Sequence, residues 1–249
     1  MPRANRYHLC GYLWHITHRC HRKQFLLKFA KDRRNWLAWL YEARKRYGLC
    51  VLDYTVTCNH IHLLVRDQGG GEIAPSMQLI AGRTGQAYNR RKVRRGAYWE
   101  DRYHATAVDS GQHLLRCLTY IDLNMVRAAV VAHPQQWENG GYHEIQQPRV
   151  RYRIVDREAL AELVECGGVS RLAAAHAQSI ADALRRRELE RQVHWAESLA
   201  VGRAEFVERV ANDLGARAQY RQIEQSGDLY VLREAASPYG PIPGTKRAS

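Results

Sequence analysis

The chain has no CxxC pair. Its six cysteines stand scattered at positions 10, 20, 50, 58, 117 and 166. Over 249 residues that scatter argues against a secreted disulfide framework and for reduced thiols in a cytosolic protein. No run of about 18 apolar residues occurs, so no membrane span is expected. Met1-Pro2-Arg3-Ala4-Asn5-Arg6 is not followed by the apolar core of a signal peptide. No internal repeat is visible. Acidic residues are scarce in one part only: residues 1–150 hold 11 Asp/Glu against 23 Lys/Arg, a net +12. Residues 151–249 hold 14 against 15, a net +1. A field concentrated in this way attracts polyanions through counterion release and favours nucleic acid over a small neutral substrate. The alternative is a basic surface without a partner. A hydrophobic content of 45% excludes global disorder, and the length suffices for a proper core.

Residues 9–17, rich in aromatic and β-branched side chains, read as a first strand. Residues 31–47 read as a helix, with Trp36, Leu37, Leu40 and Tyr41 opposite Arg33, Arg34, Arg44 and Lys45, ended by Gly48. Two strands follow at 49–57 and 60–67, joined by Cys58-Asn59 as an antiparallel hairpin. After Gly69-Gly70-Gly71 come a helix over 75–91, a strand within 98–108, and a helix over 110–131 with Ser110 as N-cap. This order is the split βαβ arrangement of an α+β, ferredoxin-like (RRM-like) palm with an antiparallel sheet. Composition changes near Gln146-Gln147-Pro148. The division expected is a basic domain over 1–147, a helical C-terminal region over 148–236 (helices at 156–166, 169–200 and 203–220), and a disordered Pro/Gly-rich tail over 237–249.

Within this frame, His60-Ile61-His62 lies in the third strand, where alternation sends both imidazoles to one face. Tyr120 and Asn124, four apart on the last helix, also share a face. Packed together, two imidazoles and an amide oxygen can hold a divalent metal beside a phenol, a set suited to cutting a phosphodiester with tyrosine as nucleophile. Taken alone the HxH is weak, since 12 histidines in 249 residues give roughly 0.6 such pairs by chance. Its weight comes from the conjunction of strand, helix and positive charge. The alternatives are satisfied sheet histidines and a core tyrosine. A second pair, Tyr142 with Gln146, lacks a helical pattern and is set aside. His15, His18, Cys20 and His21 invite a zinc reading, but His15 and His18 fall on opposite faces of a strand. His104 is open between the site and packing. Arg90, Arg91, Lys92, Arg94 and Arg95, flanked by Tyr88, Tyr98 and Trp99, are open between tracking a single strand and forming a solvated loop. Arg116 and Arg127 either face phosphate or solubilise their helix.

The segments His60-Ile61-His62-Leu63-Leu64-Val65 and Tyr120-Ile121-Asp122-Leu123-Asn124-Met125-Val126-Arg127-Ala128 resemble the single-tyrosine HUH transposases, most of all their REP-associated, domesticated bacterial branch. Trp99-Glu100-Asp101-Arg102-Tyr103 fits as well, and the similarity covers about residues 6–146. The resemblance implies cleavage of single-stranded or hairpin DNA with Mg²⁺ or Mn²⁺, and strand transfer through a 5′-phosphotyrosine on Tyr120. It further implies His60, His62 and Asn124 as metal ligands, Arg102 among the DNA contacts, and a cytoplasmic, nucleoid-associated location. Asn124 departs from the glutamine often found at that position. Two other readings remain: a non-catalytic nucleic-acid-binding regulator, and a phosphohydrolase that uses water. Whether the protein is a monomer or a homodimer stays undecided.

Overall fold

The computed structural model describes residues 9–234. The strands β1 (Leu13–Arg19), β2 (Cys50–Val56), β3 (His60–Arg66) and β4 (His104–Val108) stand in the order β2-β3-β1-β4. Strand β1 pairs antiparallel with both β3 and β4. This is the expected ferredoxin-like α+β palm, with β3 inserted between the parallel β1 and β2. The crossover helices are α1 (Ala30–Tyr47) and α2 (Ile73–Arg91), and they pack on each other. Trp36, Leu40 and Ala43 form the buried stripe of α1. Gly48 ends that helix with φ +72° and returns its N–H to the Arg44 carbonyl, a left-handed cap that suits glycine. Among the described residues no helix is long and apolar enough to cross a membrane.

The helix expected over 110–131 is broken. It runs as α3 (Gln112–Asp122) and α4 (Asn124–Arg127), with Leu123 at φ −74°, ψ 1° between them and Gly111, not Ser110, at its start. Arg127 Nη2 donates to the Tyr120 carbonyl at 2.6 Å, a carbonyl that an unbroken helix would offer to the Asn124 N–H. The set-aside pair is helical after all, as α5 (Tyr142–Gln146), one turn closed by Ile145 N–H to Gly141 O.

Beyond residue 150 the chain is not all-helical, and this corrects the expectation of a helical extension. Helices α6 (Arg157–Val164) and α7 (Val169–Arg185) are followed by the short α8 (His194–Glu197). Strand β5 (Ala200–Gly202) then pairs parallel with β4. Helix α9 (Ala204–Leu214) leads into a hairpin of β6 (Arg221–Ser226) and β7 (Leu229–Glu234), and β7 pairs antiparallel with β5. One seven-stranded sheet therefore runs β2-β3-β1-β4-β5-β7-β6 through both expected regions. Gly202 permits the β5 junction, because a Cβ there would lie 2.4 Å from Asp109 Cβ and 2.8 Å from Phe206 Cδ1. The expected tail over 237–249 lies outside the described residues.

Candidate active site

Register brings the site together. Thr17 of β1 faces His62 of β3 on one side and His104 of β4 on the other, and Arg19 faces His60. Alternation puts His15, Thr17 and Arg19 on the same sheet face as His60, His62, His104 and Thr106. Helix α3 lies against this sheet and brings in Tyr120, and α4 brings Asn124. A cavity of about 700 Å³ is lined by His60, His62, Tyr120, Asn124, Arg102 and Arg127 together with Arg19, His104, Arg191 and Glu197.

The two imidazoles turn their Nε2 atoms toward one amide. Asn124 Nδ2 lies 2.9 Å from His62 Nε2 and 3.5 Å from His60 Nε2. Asn59 sets the His60 tautomer. Its Nδ2 donates to the Lys23 carbonyl, so its Oδ1, 2.8 Å from His60 Nδ1, must accept a proton from that ring. The lone pair of a neutral His60 is thereby left on Nε2, on the Asn124 side. Burial pushes His60 down to about 4 and holds His62 well below the usual imidazole range, so both rings are neutral at pH 7.

The donor chemistry fits a divalent cation of the kind the sequence implies. Neutral imidazole Nε2 atoms are metal ligands, and half a turn of the Asn124 amide would present Oδ1 in place of Nδ2. Among the described residues no three His, Cys, Asp or Glu side chains are gathered for an ion.

Tyr120 is 6% exposed, and its ring stands edge-on to His62 with centroids 5.8 Å apart. Burial raises its pKa, while the nearby Arg127 guanidinium works the other way. That guanidinium lies 4.1 Å from the Tyr120 ring centroid.

The other sequence candidates are distributed differently. Arg116 is paired with Asp228 at 2.6 Å and lines a neighbouring cavity of about 630 Å³, not this one. None of residues 90–95 lines the site: Arg91 is ion-paired with Asp32, and Arg94 donates to Asn89 Oδ1 and the Ala97 carbonyl. Tyr98 is 4% exposed, and Trp99 stacks on His18 while donating to the Ala81 carbonyl, so these two belong to packing and do not form an open base platform. Phe25 and Phe29 are the exposed aromatics near that cluster, with Lys92 over the Phe29 ring. Tyr142 packs on His176 and lines a third cavity with Gln146, away from the HxH. His104 Nε2 lies 3.0 Å from the Ser198 carbonyl and 3.2 Å from Thr106 Oγ1, so it is bonded as well as cavity-lining. Sequence reading missed Trp195, Arg191 and Glu197, because that segment carries no motif.

Residues 9–124 match the family model described as "Transposase IS200 like". A solved structure of a REP-associated tyrosine transposase bound to a REP hairpin is 16% identical, with a TM-score of 0.51, over 63% of this chain and 94% of that one. The resemblance read from the sequence thus meets a family match and a shared fold. A candidate transposase from Deinococcus radiodurans R1 is 14% identical over 43% of this chain and 87% of its own, and its TM-score of 0.34 is too low to bear on the fold. No curated protein matches the chain at a significant level.

Proposed function

We propose that the chain is a metal-dependent, site-specific endonuclease and strand transferase for single-stranded hairpin DNA, working through a covalent 5′-phosphotyrosine on Tyr120. The observation that carries this reading is the convergence of His60 Nε2 and His62 Nε2 on Asn124, in one cavity with the Tyr120 ring. A REP hairpin is what the structurally similar transposase holds. The net +12 over residues 1–150 suits the same kind of partner.

His60, His62 and Asn124 would hold a divalent cation, Mg²⁺ or Mn²⁺, which when bound would neutralise the scissile phosphate and polarise it for attack. The Tyr120 oxygen bonds to phosphorus as its proton leaves to solvent, and the 3′-oxygen departs and is protonated. A phosphotyrosine ester keeps the energy of the broken bond, so the 3′-hydroxyl of another strand can displace Tyr120 without ATP. Arg127 and Arg102, both on the cavity wall, supply positive charge for the strand. Arg19 and Arg191 add to it from the same wall.

The test incubates labelled single-stranded hairpin DNA with the protein and Mn²⁺, followed by a denaturing gel. A covalent protein–DNA band is expected, lost with EDTA and in Tyr120→Phe but kept in Tyr142→Phe. Cleavage without an adduct would make the protein a hydrolase, and a mobility shift without cleavage would make it a binding regulator.

A further inference from the structure

His15 is 0% exposed, points into the site face of the sheet and has no part in the proposed chemistry. Its ring stacks on that of His62, with centroids 5.0 Å apart and planes 13° from parallel. Its Nδ1 lies 2.7 Å from the backbone carbonyl of Trp195, and its Nε2 lies 2.8 Å from His62 Nδ1. Trp195 itself is fully buried, on α8 of the region beyond residue 150. These contacts run in one direction only. A carbonyl oxygen can only accept, so the His15 proton must sit on Nδ1. A neutral His15 then has a bare Nε2, which obliges His62 to carry its proton on Nδ1. A neutral His62 in turn has its lone pair on Nε2, facing Asn124 2.9 Å away.

We infer that His15 is a positioning residue which, anchored on the Trp195 carbonyl, fixes the tautomer and ring orientation of His62 for metal binding. The inference deepens the proposed reading and rests on it for the role of His62. Histidines that ligate metals generally need their second nitrogen held by such a partner, and loss of the partner typically weakens metal affinity 10–100-fold. What is unusual is the partner's origin. The last link is a main-chain oxygen 180 residues from His15, in a part of the chain without charge excess or motif. The C-terminal region thereby becomes part of the catalytic apparatus in addition to the sheet.

The test uses the full chain and two variants. His15→Gln can reproduce the relay, with its amide N–H donating to the Trp195 carbonyl and its amide oxygen accepting from His62. His15→Leu fills the space without either bond. ¹⁵N NMR of the metal-free proteins reads the His62 tautomer. The Nδ1–H form is expected in the parent and in His15→Gln, and a mixture containing the Nε2–H form in His15→Leu. Titration with Mn²⁺ alone should give a Kd about 10–100-fold weaker for His15→Leu and within a few-fold of the parent for His15→Gln. A His15→Leu protein that keeps the parent tautomer, or the parent Mn²⁺ affinity, overturns the inference. A parent protein that binds no Mn²⁺ overturns the metal reading instead, and the tautomer comparison still judges the relay. Should His15→Leu fail to fold by near-UV circular dichroism, His15→Gln decides alone: loss of the Nδ1–H form of His62 there counts against the relay.

Discussion

Arg127 lies over the Tyr120 ring and also donates to that residue's carbonyl, so one side chain touches both ends of the candidate nucleophile. A cation on an aromatic face contributes about 0.5–2 kcal/mol, and it favours the phenolate more than the phenol. Arg127→Met is therefore expected to slow adduct formation about tenfold and to displace the pH–rate curve upward. Adduct formation at the parent rate in Arg127→Met would show that the cation serves only the strand or the helix. The gathering of the histidine pair, the tyrosine and the asparagine was legible because its geometry is local: alternation along one strand and a four-residue step across the α3–α4 break. His15 was visible only within a zinc reading that strand alternation set aside. Its role depends on pairing between two strands 47 residues apart and on a carbonyl no pattern announces. Arg91 and Arg94 illustrate the opposite failure. Their charge was legible, but their ties to Asp32 and Asn89 were not.

At the scale of elements, the first four strands and two helices followed from periodicity and from glycine at the turns. The strands beyond residue 200 did not. Strand β5 has three residues and a fully buried pattern, too short to separate from the helices around it. The hairpin β6–β7 did leave a signal, since Gly227-Asp228 is a two-residue loop with Gly227 at φ +65° and Leu229, Val231 and Leu232 are buried beyond it. The break at Leu123 was hidden because both halves keep one apolar stripe. Helix α7 holds α3 in place. Ser179 Oγ lies 2.7 Å from Thr119 Oγ1, and His176 Nε2 lies 2.9 Å from Asp122 Oδ2 with both side chains buried. The β4–β5 junction tolerates no side chain at position 202. Gly202→Val should cost about 1–3 kcal/mol through overpacking against Asp109 and Phe206, read as a lower Tm in the metal-free protein. An unchanged Tm would mean that β5 is held less tightly than its burial indicates.

For the molecule as a whole, the placement of histidine ties stability to pH. His15 is pushed down to about 3 and His60 to about 4, in both cases chiefly by burial, against an unfolded value near 6.5. Between about pH 6.5 and 4 the unfolded chain therefore binds more protons than the folded one. Stability is full above that window and lost as the solution is acidified through it. The urea midpoint of the metal-free protein should fall between pH 7 and pH 4.5, and fall less in His15→Gln. A midpoint that stays level across this range would show that protons reach these rings in the folded chain. Charge segregation was legible at this scale from counting alone, whereas the passage of one sheet through both halves was not, because pairing between distant strands leaves no mark in composition. That passage also limits how copies of the chain can meet. In a bare four-stranded palm, β4 would be a rim open to strand addition, but here β5 already occupies it. The outer side of β2 is taken by bridges to Gly140 and Val155. Among the described residues the outer flank of β6 is left, mostly charged or polar and highly solvated, so two molecules joining edge to edge would have to add there or not at all.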